Sequence, residues 1–355
     1  MEPTGDFQLA CPLPLADHAA VQLAHGGGGR LMRGLIEGLF RPAFAAGRTP
    51  QQLGPAHDSA VIEALGGRLA FTTDTFVVSP LVFPGGDIGK LAVCGTVNDL
   101  AMAGARPLAL SAAFILEEGL PMDALRRAVA SMAAAAEAVG VPIVTGDTKV
   151  VDRGKGDGLF INTAGIGVVP PGIEISPRRV CPGDCVLLSG DLGRHGMAVM
   201  SVREGLSFET ELESDCAPLW GLIEAMLPAG GDLHCLRDLT RGGLAAALNE
   251  IAADAGVGVE IDEAAIPVGP PVAAACELLG LDPLYVANEG RLAAFVAPAA
   301  APRVLAAMQA CPAAPGAVII GRVTERHPGT VELRSRLGAG RIVDLLSGEQ
   351  MPRIC

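Results

Sequence analysis

Five aspartates in the first half of the chain are the residues whose type and placement most clearly suggest chemistry. Each follows a strand-like run or lies in a glycine-rich turn: Asp58 in AHDSAVI, Asp74 in FTTDTFVV, Asp87 in PGGDIGK, Asp99 in VNDLAMAGARP and Asp147 in VTGDTKVV. Mg²⁺ prefers oxygen ligands and is commonly held by one or two carboxylates together with the phosphates of a substrate. The series therefore predicts an anionic site suited to Mg²⁺ and ATP.

A run of four glycines follows His25 and supports the same interpretation. Backbone rich in glycine leaves its N–H groups free and can fold over phosphates. Neither the P-loop pattern nor the dinucleotide fingerprint is present, so a flexible linker is the competing interpretation. Beside the acid series we interpret the run as a phosphate loop, formed by Gly26, Gly27, Gly28 and Gly29.

Three other positions could bind phosphate or move a proton. Lys149 follows Asp147 by two residues, so in a strand both side chains point to one face; the lysine would neutralise phosphate, transfer a proton, or simply be solvated. The phrase LRDLTRGG places Asp238 and Arg241 at a predicted helix start, where backbone amides favour an anion. Glu289 lies between two apolar runs, where an exposed turn glutamate is the commoner interpretation.

The chain ends on MPRIC, so its last residue is the thiol Cys355 on a short polar tail. A free cysteine on such a tail is mobile, solvated and easily oxidised. Two interpretations are open, an incidental end of the chain and a reactive group carried on a flexible arm. The residue alone does not choose between them.

Strand-like and helix-like patterns alternate along the chain and position these residues. Apolar and β-branched runs predict strands at 68–78, 142–151, 159–169 and 184–190, and helical periodicity predicts helices around 31–40, at 122–140 and at 243–256. Gly140 and Gly256 are the expected helix stops. The class is α/β or α+β.

A stretch rich in proline and glycine, VVPPGIEISPRRVCPGD, is the predicted domain boundary, cut near Ile173. The predicted divisions are an N-terminal segment with the glycine loop (1–54), a first domain (55–172), a second domain (173–343) and a flexible arm (344–355).

Composition excludes several classes of protein. Apolar residues make up 50% of the 355 residues, but no run approaches the roughly 18 uncharged apolar residues of a membrane helix. The N-terminus lacks the pattern of a secretion signal, which predicts a cytoplasmic protein. The net charge of −13 argues against nucleic acid. Nine scattered cysteines do not form a disulfide framework, and the close pair Cys181 and Cys185 has no second pair, which predicts no structural zinc.

Taken together, the motifs resemble those of the hydrogenase maturation factor HypE family. The phrases that carry the resemblance are HGGGG, TTDTFVV, PLVFPGGDIGKLAVCGTVNDLAMAGARP, VTGDTKVV, LSGDLGRHG, RDLTRGGLAAALNEIA, NEGRL and the terminal PRIC. They occur in the family's order from about residue 22 to the end, and the first 20 or so residues lie outside the match. The family belongs to the superfamily of aminoimidazole ribonucleotide synthetase, selenophosphate synthetase and thiamine-monophosphate kinase.

The resemblance implies an ATP-dependent carbamoyl dehydratase. A carbamoyltransferase partner, HypF, would load a carbamoyl group on Cys355, and ATP would convert it to a thiocyanate. The cyano group would then pass to iron held by a HypC–HypD complex as a cyanide ligand of [NiFe]-hydrogenase. The arm would carry the thiol between these sites.

The same resemblance implies a first domain that closes a barrel with a second subunit of a homodimer, and a C-terminal α/β sandwich. By motif position, it implies metal ligands Asp58, Asp74, Asp99 and Asp238, catalytic residues Cys355, Glu289 and Lys149, and contacts to the nucleotide from Gly26, Gly27, Gly28, Gly29, Asn98, Asp147, Thr148 and Arg241. Glu289 is the first candidate for the base and Lys149 the second.

Two rival functions remain open at this point. A small-molecule kinase or selenophosphate synthetase of the same superfamily would need the ATP site but not Cys355. A non-enzymatic thiol scaffold using Cys355, Cys181 and Cys185 would leave the acid series and the glycine run unexplained.

Overall fold

Two α/β units, each built on one β-sheet, form the computed structural model, which describes residues 29–35, 37, 58, 60–64, 67–205, 212–346, 348 and 350–355. The strands are β1 (Ala60–Ala64), β2 (Gly67–Phe76), β3 (Val82–Phe83), β4 (Gly86–Asp87), β5 (Arg106–Glu117), β6 (Ile143–Val151), β7 (Leu159–Val169), β8 (Cys185–Leu188), β9 (Leu233–Asp238), β10 (Gly258–Asp262), β11 (Leu292–Val296), β12 (Val318–Thr324), β13 (Val331–Arg334) and β14 (Gly340–Val343). The helices are α1 (Arg30–Leu35), α2 (Ile88–Met102), α3 (Met122–Val139), α4 (Arg194–Arg203), α5 (Trp220–Met226), α6 (Gly243–Ala255), α7 (Pro270–Leu279) and α8 (Ala301–Ala310).

The first sheet has the strand order β1-β2-β7-β5-β6, in which β5 and β6 are parallel and the other neighbours are antiparallel. One side, here called the covered face, packs under α2, where the buried Thr163 donates a hydrogen bond of 3.0 Å to the carbonyl of Ala92. The other side, the open face, leaves Phe71, Ile115 and Ile166 more than two-fifths exposed. A single sheet therefore presents two different environments.

Helix α2 lies between the two units and contacts both. The Asp87 side chain caps its N-terminus by accepting hydrogen bonds from the N–H groups of Gly89 and Lys90. Gly89 allows close packing on α3, because a Cβ there would meet the Ala128 carbonyl at 2.0 Å. Every residue of α2 except Lys90 and Asp99 is buried, since β2 and β7 contact one side and β9 and α5 the other.

The second sheet has the strand order β14-β13-β10-β12-β8-β11-β9. Alternate residues of β8 enter different cores: Leu187 packs with α5 and α8, whereas Val186 and Leu188 pack with α6. All five residues of β11 are buried, as expected for a strand covered on both sides. The second unit is therefore an α/β sandwich.

The predicted α/β class and two-unit organisation are confirmed by this architecture. Strands β2, β6, β7 and β8 occupy the four predicted runs, and α3 and α6 the two predicted helices. Gly140 and Gly256 end those helices in the left-handed conformation. Helix α1 occupies only the described beginning of the predicted 31–40 helix.

The first sheet ends at Val169 and the second begins at Cys185, with the predicted cut near Ile173 between them. Within the described ranges, no helix is long and apolar enough to cross a membrane.

Candidate functional site

Three carboxylates from different parts of the chain meet where the two units contact each other. Asp58 precedes β1, Asp99 lies in α2 and Asp238 ends β9, and one oxygen from each lies within 4.8 Å of the other two. Thr72 in β2 donates a hydrogen bond of 2.7 Å to Asp99 and fixes its orientation. The expectation that every acid would lie in a turn or at a strand end is wrong for Asp147, which lies in the middle of β6, and for Asp99, which helix α2 carries toward Asp238.

Burial shifts the titration of these carboxyls. It raises the pKa of Asp58 from 3.8 to about 6, with a further contribution from Glu250, while Arg237 opposes the rise. The pKa values of Asp99 and Asp238 lie well above their usual range, because burial is reinforced by repulsion from neighbouring carboxylates. Three acids this close together, one buried and two partly buried, favour a bound cation.

One arginine partly balances this cluster. The guanidinium of Arg237 in β9 pairs with Asp58 and also donates a hydrogen bond of 2.6 Å to Glu250. The pKa of Asp74 in β2 is also raised, mainly by burial, although Arg241 opposes the rise. The positive charge beside the acids is thus supplied from the second unit.

The C-terminal residues pack against the first unit, where sequence alone predicted a flexible arm. The N–H of Val77 donates a hydrogen bond of 3.0 Å to the Cys355 carbonyl, and that of Ser79 donates one of 3.2 Å to the Arg353 carbonyl. The two backbones therefore run side by side just beyond β2. Met351 and Ile354 are buried in the core that contains Phe76, so apolar packing and backbone pairing together hold the tail.

Two side chains of α4 also hold the tail. His195 is fully buried, and its Nε2 donates a hydrogen bond of 2.8 Å to the carbonyl of Ile354. Its Nδ1 lies 2.8 Å from the Ser214 hydroxyl, and burial lowers the pKa of His195, which keeps the ring neutral. Arg203 donates hydrogen bonds to the carbonyls of Pro352 and Arg353.

The thiol of Cys355 consequently lies in a partly buried and charged environment. Burial raises its pKa, and the negative charges of Glu289, Asp74 and Asp238 act in the same direction. Arg241 opposes them and is the cation that acts most strongly on the thiol. The raised pKa favours the neutral thiol over the thiolate.

Glu289 is buried, so the interpretation of this residue as an exposed turn glutamate is wrong. Among the described residues, no hydrogen-bond partner reaches its Oε1. Burial raises the pKa of Glu289 well above the usual range, and Asp238 and Asp74 add to the effect. A carboxyl with a raised pKa and an unpartnered oxygen is suited to proton transfer.

Several predicted nucleotide contacts lie elsewhere or serve packing. The Asn98 amide donates to the carbonyls of Ala217 and Glu289 and accepts from the N–H of Leu219, so it joins the two units. Gly29 packs against the Leu346 backbone, where a Cβ would clash at 2.5 Å. The other glycines of the run, Gly26, Gly27 and Gly28, lie outside the described residues.

Lys149 and Asp147 do not join the carboxylate cluster within one chain. Asp147 in β6 lies opposite Ala113 in β5, which lies opposite Asn162 in β7, which in turn lies opposite Thr75 in β2. Strands β6 and β2 are therefore three strand spacings apart, or about 14 Å. Lys149 lies opposite the exposed Ile115 in the neighbouring strand. Its amino group forms an ion pair of 2.5 Å with Asp147, as expected for two residues on the same face of a strand. These two residues, with Thr148 between them, lie on the edge strand of the first sheet.

Comparison with known proteins extends over almost the whole chain. Residues 56–169 match the N-terminal domain of AIR synthase related proteins and residues 181–334 match their C-terminal domain. The carbamoyl dehydratase HypE of Cupriavidus necator is 55% identical over 354 residues, which cover 99% of this chain and 100% of that protein. The chain belongs to the HypE family. That match extends further toward the N-terminus than the predicted start near residue 22.

Solved HypE structures share the fold. A HypE–HypF complex contains a chain that is 48% identical and superposes with a TM-score of 0.82, covering 88% of this chain and 99% of that one. A HypE structure in complex with ATP is 46% identical, with a TM-score of 0.79, and covers 95% of this chain and 100% of that one.

Sequence reasoning missed three residues of this HypE site. Arg237 precedes the predicted Asp238 in the same strand, but only the fold shows that it pairs with Asp58. His195 lies in the motif LSGDLGRHG, which marked the region without indicating that the ring binds the tail. Nothing in the sequence around Arg203 signals its contacts with the tail carbonyls.

Proposed function

We propose that this chain is an ATP-dependent carbamoyl dehydratase that acts on a carbamoyl group carried by its own Cys355. The observation that carries the proposal is the position of the Cys355 thiol, which lies partly buried at the end of a docked tail, where the charges of Glu289, Arg241, Asp74 and Asp238 act on it. A kinase acting on a diffusible small molecule would have no use for a terminal thiol bound at this place.

The proposed reaction converts a thiocarbamate into a thiocyanate. The carbamoyl oxygen attacks the γ-phosphoryl group of ATP, and the carbon–oxygen bond then breaks as phosphate leaves. The carbamoyl nitrogen loses both protons, so the products are the S–C≡N group, ADP and phosphate. Phosphorylation is needed because the oxygen of an amide is otherwise a poor leaving group.

We assign proton removal from nitrogen to Glu289. The unpartnered Oε1 supports this role, and burial, which raises the pKa of Glu289, makes its carboxylate a stronger base. Arg241 would stabilise negative charge near the sulfur, since the same guanidinium acts on the Cys355 thiol.

The carboxylate cluster fits Mg²⁺. Its ligand atoms are all oxygens, they come within 4.8 Å of one another, and their burial makes an uncompensated charge costly. Asp58, Asp99 and Asp238 would hold the ion, with Asp74 beside them. A bound Mg²⁺ would neutralise the phosphates of ATP during transfer.

We also propose that the active form is a homodimer. The open face exposes the large apolar side chains of Phe71, Ile115 and Ile166, which a second copy would cover. Such a dimer would bring Lys149 near a second subunit. Mixing a Lys149→Met subunit with a Cys355→Ala subunit tests this arrangement, because activity returns in the mixture only if Lys149 acts across the interface.

HypF as carbamoyl donor and a HypC–HypD complex as acceptor complete the proposal. The known HypE–HypF complex supports the first partner.

We place the reaction in the cytoplasm, because the eight described cysteines are all free thiols, as a reducing compartment would keep them.

Mass spectrometry of the C-terminal peptide tests the proposed function. The protein is incubated with its carbamoyltransferase, carbamoyl phosphate and ATP, beside a Cys355→Ala variant and a Cys311→Ala variant as matched control. We expect a carbamoyl adduct on the peptide ending in Cys355 that loses the mass of one water when ATP is present. Steady ATP turnover with an unmodified tail would overturn the proposal.

A further inference from the structure

A thiol, a carboxylate and an imidazole meet at a second place, outside the site described above. Nδ1 of His234 lies 2.8 Å from Oδ2 of Asp184, and Sγ of Cys181 lies 3.5 Å from Oδ1 of Asp184 and 4.0 Å from Nδ1 of His234. Cys181 is exposed, whereas the side chains of Asp184 and His234 are only 1% and 14% exposed. The cluster is therefore built into the protein but open to solvent on one side.

The backbone around these residues is held in place by the second sheet. Asp184 immediately precedes β8, and its Oδ2 accepts a hydrogen bond of 3.0 Å from the N–H of Cys181, which closes the turn between them. His234 lies in β9, and its carbonyl accepts a hydrogen bond from the N–H of Ser176. A fixed frame of this kind keeps the three ligand atoms together.

We propose that Cys181, Asp184 and His234 bind a divalent transition metal of the zinc class. Tetrahedral zinc with sulfur at about 2.3 Å and nitrogen or oxygen at about 2.0–2.2 Å requires ligand atoms roughly 3.3–3.6 Å apart. Sγ of Cys181 and Nδ1 of His234 are 4.0 Å apart, and each lies close to a different carboxylate oxygen of Asp184. One ligand atom from each residue lies within 4.8 Å of the other two, a separation that small rotations of the side chains shorten. Solvent supplies the fourth ligand on the side where Cys181 is exposed.

The proton balance of binding is simple. The S–H bond of Cys181 breaks and its proton passes to solvent, so the sulfur binds as a thiolate. The metal takes the place of the hydrogen between Nδ1 of His234 and Asp184, and the proton of the neutral ring resides on Nε2. One proton is released for each metal bound.

This site is separate from the carboxylate cluster. His234 and Asp238 lie four residues apart in β9, a separation of about 13 Å along the strand. The ligand classes also differ, since a thiolate and an imidazole favour zinc, cobalt or nickel over magnesium. The sequence predicted no structural zinc because Cys181 and Cys185 have no second cysteine pair to complete a zinc site. The structure adds ligands of another type, one from 53 residues further along the chain.

Titration of the full-length protein with Co²⁺ tests the site, because a cobalt-bound thiolate gives a charge-transfer absorption that carboxylates do not. We expect one equivalent of Co²⁺ to produce this band and Zn²⁺ to abolish it. The variant Cys181→Ser should lose the band, whereas the matched Cys311→Ser variant should keep it. His234→Asn, whose thiol remains, should weaken Co²⁺ binding by about 10- to 100-fold.

Circular dichroism of each variant separates loss of binding from loss of folding. Zn²⁺ should raise the melting temperature of the native protein and of Cys311→Ser but not that of Cys181→Ser. Absence of the band in the folded native protein would overturn the proposal. So would a band that persists in Cys181→Ser, because the metal would then be bound by another thiol.

Discussion

The two faces of the first sheet carry acids of opposite character. On the covered side, Asp99 and Asp74 lie in buried surroundings that raise the pKa of each carboxyl. On the edge strand beside the open face, the hydrogen bond from Lys149 lowers the pKa of Asp147, which is exposed. The comparison shows that the pKa of an aspartate in this sheet region depends mainly on whether another element packs over its side chain.

Helix α2 and the second unit produce this asymmetry. They hold the partly buried Asp99 beside Asp238, so two like charges share one site and a cation or a proton must compensate them. No described element covers the exposed side of β6, so Asp147 stays solvated and pairs only weakly with Lys149.

Replacing Asp99 with asparagine should have the largest effect. We expect ATP-dependent dehydration to fall by about 10³-fold, because a charged ligand of the cluster is lost. Thermal stability of the metal-free protein should rise, since the substitution relieves repulsion between buried carboxylates. Rate measurements and melting curves test the two parts. The matched variant Asp147→Asn should leave thermal stability unchanged, because this carboxylate is exposed, and an equal rise in stability in both variants would contradict the contrast.

Glu289→Gln should reduce the dehydration rate of carbamoylated protein by about 10²-fold. Carbamoylation of Cys355 by the partner should continue, because loading does not use this base. Single-turnover experiments with the loaded protein separate the two steps. Equal loss of loading and dehydration would show that Glu289 shapes the site instead of removing a proton.

Arg203→Met should free the tail while leaving the carboxylate cluster intact. Alkylation of Cys355 by iodoacetamide should become about tenfold faster, because charge-assisted hydrogen bonds to two tail carbonyls are lost. Peptide mass spectrometry reports the rate, and alkylation of the exposed Cys181 provides an internal reference. An unchanged ratio between the two cysteines would mean that Arg203 does not retain the tail.

The pH dependence of stability should differ between the two groups of acids. Asp58 has a pKa raised from 3.8 to about 6, so its proton stabilises the folded state below about pH 4, and that contribution disappears as the pH rises through 6. The melting temperature of the metal-free protein should therefore fall over this interval by a few degrees. Mg²⁺ should offset the fall at pH 7. Asp147→Asn should leave the curve unchanged, whereas Asp99→Asn should flatten it.

The sequence predicted the local elements well because their signals are local. Strand β7 and helix α3 follow from periodicity and from Gly140, with no information about distant contacts. The acids were identified as a group for the same reason. The family resemblance supplied what local patterns lacked, namely a role for Cys355.

Other features depended on the fold and could not be predicted. Which acids converge is decided by the register of β2, β7, β5 and β6 and by the position of α2, so Asp99 and Asp147 looked equivalent in the sequence. The docked position of the tail requires His195 from a segment 159 residues away. Long-range geometry of this type leaves no local periodic signal.

The tail bound beside β2 makes the group to be transformed a part of the catalyst. A tethered reactant of this kind is present at an effective concentration on the order of millimolar, whatever the amount of protein in the cell. Dehydration should therefore be independent of protein concentration, while loading and unloading remain bimolecular. Each polypeptide converts one carbamoyl group per cycle. Its turnover rate is therefore set by how often the tail undocks and docks again, which breaks and reforms the hydrogen bond from the N–H of Val77 to the Cys355 carbonyl.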